Sequence, residues 1–214
     1  MALTRAQVVS TAVELLRRYG LADLSMRRLA RELEVQPGAL YWHVASKQEL
    51  LVEVAGALLA EVPEPPGDLR PNEALAVLAT AVRAALAPVP DAADVVGMAY
   101  AAERAAVPAL RELRGLVGRA GVAAGSSEAV TDLLVHHILG SVALEQNERQ
   151  VGAADASWVG RDPAEVATSF AVGLHVIVRG LSSVGTSAST PSCEDRAVDE
   201  RARSDSSAGS IERS

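Results

Sequence analysis

Apolar residues fall at helical spacing from the start of the chain. Val8, Val9, Ala12, Leu15 and Leu16 mark one face of a first helix. Ahead of them, Thr4-Arg-Ala-Gln7 has the form of a capping box, in which a hydroxyl and an amide three residues apart satisfy free N–H groups at a helix start. Gly20 predicts the C-cap, with Arg17 and Arg18 in the last turn. Ser25 predicts the next N-cap, and Met26, Leu29, Ala30 and Leu33 form a second, shorter stripe. Pro37 fits the first position of a third short helix, where its missing N–H costs little; that helix is expected to reach about Val44. Ser46-Lys-Gln-Glu49 is a second capping box. It opens a long helix through Leu50, Leu51, Val54, Leu58, Leu59 and Val62.

Pro63-Glu-Pro-Pro-Gly67 breaks the pattern and separates this compact start from the rest. Helical spacing resumes at about Asn72–Leu86, stops at Ala87-Pro-Val-Pro90, and returns over Ala92–Arg104 and Pro108–Arg119. Gly121–Ser127 reads as a loop, with Ser126 or Ser127 capping a long helix over Glu128–Gln150. Asp162 and Pro163 start a last helix that runs to about Leu181. From Ser182 the periodicity stops, and a Ser-rich, aromatic-free tail is expected to be disordered.

These patterns predict an all-α fold. Its expected divisions are a three-helix head over 1–46, a connecting helix over 47–62, a helical body over 63–181 and a tail over 182–214. Composition agrees: 49% of the chain is hydrophobic but only 3% is aromatic, which suits Ala-rich helices better than a β core. The single cysteine, Cys193, excludes an intramolecular disulfide framework and any Cys-based zinc or iron–sulfur site. No secretory signal is evident and no uncharged apolar run reaches the ~18–20 residues of a membrane span, so a cytoplasmic protein without a membrane partner is expected.

The net charge of −7 argues against a nucleic-acid partner, but its distribution does not. Residues 1–50 carry seven basic and five acidic side chains; residues 51–214 carry thirteen and twenty-two. A mildly basic head sits on an acidic body. Two short helices joined by Glu34-Val-Gln36 and braced by an earlier helix have the layout of a helix-turn-helix, whose second helix enters the major groove. Arg27, Arg28 and Arg31 can neutralise phosphates. Gln36 can reach a base edge or a phosphate, and Ala39 a thymine methyl. Pro37 and Gly38 keep the surface low, so that backbone can approach DNA. Tyr41 and His43 are useful donors beside a phosphate, Trp42 crowds the same eight residues, and Lys47 starts the following helix, where the helix dipole also favours an anion.

Taken together, Leu24-Ser-Met-Arg27-Arg-Leu-Ala30, Val35, Leu40-Tyr-Trp-His43-Val and Ser46-Lys47-Gln-Glu-Leu50 closely resemble the DNA-binding domain of TetR-family transcriptional regulators, most of all the tetracycline-repressor branch. The resemblance covers Thr4 to about Val62, somewhat over a quarter of the chain. It implies that Ser25, Met26 and Arg27 flank the groove. Gln36, Pro37, Gly38 and Ala39 would read bases, and Tyr41, Trp42, His43 and Lys47 would contact or support the DNA backbone. It also implies a body that binds a small effector, a homodimer built from two long helices of each subunit, and a palindromic operator. Glu128–Gln150 and Pro163–Leu181 are the candidate pair.

The chain departs from the tetracycline-repressor pattern in having no His between Val44 and Val135, which speaks against metal–tetracycline sensing. No metal site and no cofactor are expected. Candidate effector-pocket residues are the polar or aromatic ones amid apolar helix: Met98, Tyr100, His136, Asn147, Trp158, Phe170 and His175. The Ala-rich body suggests a lipophilic effector, and the resemblance implies a repressor that such an effector releases from its operator. No Gly-rich phosphate loop, nucleophile elbow or paired carboxylates point to an enzyme. The other open reading is a helical DNA-binding or protein-interaction module without a sensor.

Overall fold

The structure is a computed structural model that describes residues 3–155 and 157–184. Among these residues it is all helical: α1 (Arg5–Tyr19), α2 (Met26–Glu32), α3 (Pro37–Leu40), α4 (Lys47–Leu58), α5 (Pro71–Leu86), α6 (Ala92–Ala102), α7 (Pro108–Arg119), α8 (Ala124–Ala154) and α9 (Pro163–Val184). The class is the one the periodicity predicts.

The head closes as its caps dictate. Gln7 N–H donates to Thr4 Oγ1 at 3.2 Å while Gln7 Oε1 accepts from Thr4 N–H at 2.9 Å. Ser25 Oγ accepts from Arg28 N–H at 3.2 Å, and Ser46 Oγ accepts from Glu49 N–H at 3.1 Å. The third helix differs from expectation. It is a single turn, and Tyr41–His43 form a turn rather than more helix. Glu49 supplies the reason: its carboxylate accepts the Ala45 N–H at 2.6 Å, which draws Ala45 and the extended Ser46 into the cap of α4. The N–H groups of His43 and Val44 both close on Leu40 O at 2.9 Å. Glu49 also meets Arg5 of α1 at 2.7 Å, and Arg5 reaches Glu53 at the same distance. The Ala45 N–H first, then Arg5, hold the Glu49 carboxyl below the usual carboxylate range.

Helix α4 packs on α1 on one side and on α6 on the other, and its Leu50, Leu51, Val54, Ala55 and Leu58 are buried. Head and body therefore share one continuous core. A polar latch crosses the same seam. Asp91, left-handed at φ 55°, precedes α6, and its Oδ2 accepts the Leu21 N–H of the α1–α2 loop at 2.7 Å. Gly20 makes that approach possible: its φ is +74°, and a Cβ there would stand 2.6 Å from Asp91 Oδ2.

In the body, α5 packs on α7, α8 and α9, and α8 packs on α6, α7 and α9. The carbonyls left free where α5 ends are satisfied from α8. Gln146 Nε2 donates to Leu86 O at 3.3 Å and to Val89 O at 2.6 Å, and Arg149 donates to Ala87 O. Helix α8 begins four residues before the expected start at Glu128. Gly121, at φ +84°, turns the chain out of α7, and Ala123-Ala124 favours helix, so Ser126 and Ser127 lie inside the first turns and cap nothing. Tyr100 is buried, and its hydroxyl donates to Asp132 Oδ1 at 2.7 Å, with Arg104 also paired to Asp132. Burial, with Asp132, pushes the Tyr100 hydroxyl up to about 12. The same hydroxyl, then Arg104, lowers the Asp132 carboxyl.

Helix α9 runs three residues beyond the expected Leu181, so the tail boundary at 182 moves. Leu181 is buried and Val184 packs on the core, which extends the apolar stripe by a turn. The rest of the Ser-rich tail, expected to be disordered, lies outside the described residues. By length and composition α9 could cross a membrane, with mean hydropathy 1.3 over Pro163–Leu181. It instead lies along α5 and α8 with one side uncovered.

The Tyr100–Asp132 pair yields a pH test. The folded pKa of Asp132 lies below its unfolded value, so its contribution is present above the unfolded value and fades as pH falls through the folded one. Urea denaturation should show Asp132→Asn less stable than the parent by about 1 kcal/mol at neutral pH. The gap should close below about pH 4. A gap unchanged in acid would refute this account of the pair.

Candidate nucleic-acid interface and the clefts of the body

Helices α2 and α3 pack together, and α1 braces both α2 and α4. The turn between α2 and α3 is tight. Glu34 takes φ 54°, and Val35 N–H closes on Ala30 O at 2.9 Å. Leu29, Ala30 and Leu40 are buried beneath, so the outer positions are fixed by a packed floor.

Of the predicted DNA-facing residues, Ser25 is spent as the cap of α2 and Met26 is half-buried against the core. Arg27 is exposed. Gln36 caps α3 only through its backbone, so its exposed carboxamide makes no cap bond. Pro37 and Gly38 are exposed, and a Cβ on Gly38 would meet nothing within 4 Å. Ala39 and His43 are half-buried, and Lys47 is exposed in the first turn of α4. Tyr41 is 52% exposed and Trp42 89%. An indole this exposed is expensive surface to leave uncovered by chance, because aromatic side chains carry more apolar area than most others. These positions come together on α3, the turn after it, the start of α2 and the start of α4.

One expected cation leaves the set. Arg28 lies 4.0 Å over the Tyr19 ring and pairs with Asp23, so it braces the α1–α2 loop. Its Nε is buried without a partner among the described residues. Arg27, Arg31 and Lys47 have no ion-pair partner among the described residues, and they supply the positive charge of this surface.

The seven candidate effector-pocket residues do not share a cavity. Tyr100 borders a void of about 10 Å³ inside the body. His136 and Phe170 border a cleft of about 260 Å³, with Phe170 itself 4% exposed. Phe170 stacks on His137, which the sequence reading passed over, at 4.9 Å and 7°. Gly173 admits that ring, since a Cβ there would overlap His137 Cε1. Trp158 borders a cleft of about 530 Å³ with Arg83, Arg149 and Arg161, and His175 one of about 520 Å³ with Arg179. Met98 is half-buried on α6, and Asn147 is exposed on α8.

The sequence reading also missed one feature. A cleft of about 870 Å³ opens between α1, α4, α5 and α7, lined by small and aliphatic residues with Arg5, Glu53, Glu64 and Glu112. No periodicity marks it, because its lining comes from four separate elements. The two helices expected to pair in a dimer, α8 and α9, carry an uncovered stripe. Leu133 (50% exposed), His136, Gly140, Leu144 (58%), Asn147 and Val151 recur at three- and four-residue steps along α8, and Val172 and Val176 stand exposed on α9. An apolar stripe of this extent is the mark of an interaction surface. Among the described residues no group of three or more His, Cys, Asp or Glu is placed to hold a metal ion.

Comparison with known proteins places the head first. Residues 8–54 match the model of the bacterial regulatory proteins, tetR family. The chain is 34% identical to the class C tetracycline repressor protein of Escherichia coli over 176 residues, covering 78% of this chain and 75% of that one. An HTH-type transcriptional regulator of Saccharopolyspora erythraea is 47% identical over 60 residues, and there the chain spans only a quarter of the relative's length. Among solved structures, Mycobacterium smegmatis BioQ matches with a TM-score of 0.76 and 36% identity over 86% of this chain and all of that one. BioQ bound to its natural double-stranded DNA operator matches at 0.70 and 34%, over 84% of this chain and 98% of that one.

The burial pattern separates floor from surface. Trp42→Ala should change unfolding free energy by less than about 0.5 kcal/mol, as for a surface site. Leu40→Ala, two residues away and fully buried, should cost about 2–5 kcal/mol. Urea denaturation of both variants checks this, and a large loss at Trp42 would show it to be structural.

Proposed function

The chain belongs to the tetR family of bacterial regulatory proteins, and on that premise we propose that it is a dimeric repressor which reads a palindromic operator and lets go when a small lipophilic effector binds its body. The observation that carries the reading is the surface of α3 and its following turn: a free Gln36 carboxamide, an open Gly38, and Tyr41 and Trp42 exposed above a buried Leu40. Residues 1–46 act as the head, 47–62 as the connecting helix and 63–184 as the body and dimer module. The setting is the cytoplasm.

In this reading Gln36 and Ala39 reach base edges, with Pro37 and Gly38 keeping the backbone close to the groove. Arg27, Tyr41, Trp42, His43 and Lys47 hold phosphates and set the register, while Ser25 and Met26 support them from below. One such surface makes too few contacts for specific binding. Two of them, on a palindrome with half-sites ~34–36 Å apart or a multiple of that, suffice. The uncovered stripes of α8 and α9 are the means of pairing: two helices from each subunit form a four-helix bundle and cover Leu133, Leu144, Val172 and Val176. Catalysis has no part in this scheme.

Effector and operator communicate through the seam. α4 is packed on α1 and α6, and Asp91 ties α6 to the loop that precedes α2. A ligand that favours one arrangement of body helices over another therefore shifts the spacing of the two heads, by no more than its difference in affinity for the two states.

Fluorescence anisotropy with the duplex upstream of the protein's own gene, at two salt concentrations, tests the reading. The native duplex should bind about a thousandfold tighter than a scrambled one. Arg27→Ala and Tyr41→Ala should each reduce this to the scrambled level while the dimer persists; retained specificity would sink the site. Separately, Leu144→Asp should convert the dimer to a monomer in sedimentation equilibrium and weaken operator binding with it. A dimer that survives the buried charge would place the interface elsewhere.

A further inference from the structure

We infer that the cleft between α1, α4, α5 and α7 is the effector site, and that its ligand is an organic cation with an apolar skeleton. The inference rests on the regulator reading and specifies where and what it senses. Around Tyr100 only about 10 Å³ is free, and Leu75, Leu78, Leu110, Leu113, Leu134 and Ile138 are fully buried; the clefts beside Trp158 and His175, about 530 and 520 Å³, open on the uncovered side of α9 and are lined by arginines. The seam cleft, at about 870 Å³, lies within the ~300–1,000 Å³ that small-molecule sites occupy.

Its walls are apolar and set back. Gly56 sits in the middle of α4, where glycine is unfavourable, and a Cβ there would meet nothing within 4 Å. The helix thus forgoes a side chain where one would enter the cleft. Charge decides the ligand's sign. Arg5 is the one cation on the lining among the described residues, and it is held at 2.7 Å by both Glu49 and Glu53. Glu112 is paired with Arg119 at 2.5 Å. Glu64 has no ion-pair partner among the described residues. The surroundings carry a carboxylate excess, with one carboxylate free beside apolar wall. An apolar cation gains both burial and a counter-charge there; an anion of the same shape meets repulsion.

The location also supplies the coupling. Val9 and Gly56 face the cleft from α1 and α4, and Leu78 and Ala109 face it from α5 and α7. An occupant touches both sides of the seam at once, so its affinity depends on how the head sits, and by linkage the head's operator affinity depends on the occupant.

The test uses two ions of matched shape and opposite charge, tetraphenylphosphonium and tetraphenylborate. Isothermal titration calorimetry on the full-length dimer should show the phosphonium binding at least about tenfold tighter than the borate, a difference of about 1.4 kcal/mol. Gly56→Leu should narrow the cleft and weaken phosphonium binding by about tenfold or more, with helix content and melting temperature retained, since a Cβ there meets nothing within 4 Å and leucine is the better helix former. Glu64→Gln should weaken it severalfold and leave the weak borate binding no weaker. The phosphonium should also weaken operator binding in the anisotropy assay. No phosphonium binding, a borate that binds equally well, or phosphonium binding indifferent to Gly56→Leu would each overturn the proposal. The ligand-free operator titration is read independently: its failure counts against the regulator reading, whereas the calorimetry decides the cleft.

Discussion

Helix α4 has little free surface with which to be independent. Its Leu50, Leu51, Val54, Ala55 and Leu58 are buried between α1 and α6, so the element that leaves the reading head is also a wall of the body. A linker of Gly and Ser would let the head swing freely and would carry no information. A shared apolar core does the reverse, because packed interiors resist continuous deformation and respond by moving as units. The Arg5 bridge to Glu49 and Glu53 fastens α1 to α4, and the Asp91 carboxylate fastens α6 to the α1–α2 loop. Head and body are thus joined at three points, each made of residues distant in sequence.

Local rules made most of the head legible. Thr4, Ser25 and Ser46 cap their helices through contacts three residues long, and such contacts can be read from adjacent letters. The exposed aromatic pair was legible for a related reason: Tyr41, Trp42 and His43 crowd one short stretch, and Tyr41 and Trp42 stand exposed. What was not legible depended on partners far away in the chain. Arg28 reads as one of three similar cations, yet Asp23 and the Tyr19 ring remove it from the surface. The length of α3 was set by Glu49 reaching back to Ala45, a competition between two adjoining helices that neither pattern records alone. The start of α8 was misplaced because two serines look like caps, whereas Gly121 had already made the turn.

The body shows the limit more sharply. Choosing pocket residues by polarity amid apolar helix gathers side chains that the fold places in separate clefts and on separate faces. Tyr100 is occupied with Asp132, and His136 and Asn147 stand on the uncovered stripe of α8. A cavity is made by what is missing, and missing volume leaves its trace in small residues: Gly56, Ala57, Ala60, Ala106 and Ala109 all border the seam cleft. In an Ala-rich chain that trace is invisible until the fold brings four elements together.

The separation of charge along the chain gains its meaning from this architecture. The basic residues of the first fifty positions are few, and the body is strongly acidic. An acidic body repels the DNA that the head attracts, so only orientations that present α3 to the duplex are favoured. Non-specific attachment by the rest of the molecule is suppressed, which favours discrimination over raw affinity. The same excess of carboxylate gives the seam its sign. One imbalance in composition, distributed by the fold, therefore orients the protein on an anionic polymer and biases its cleft towards cations.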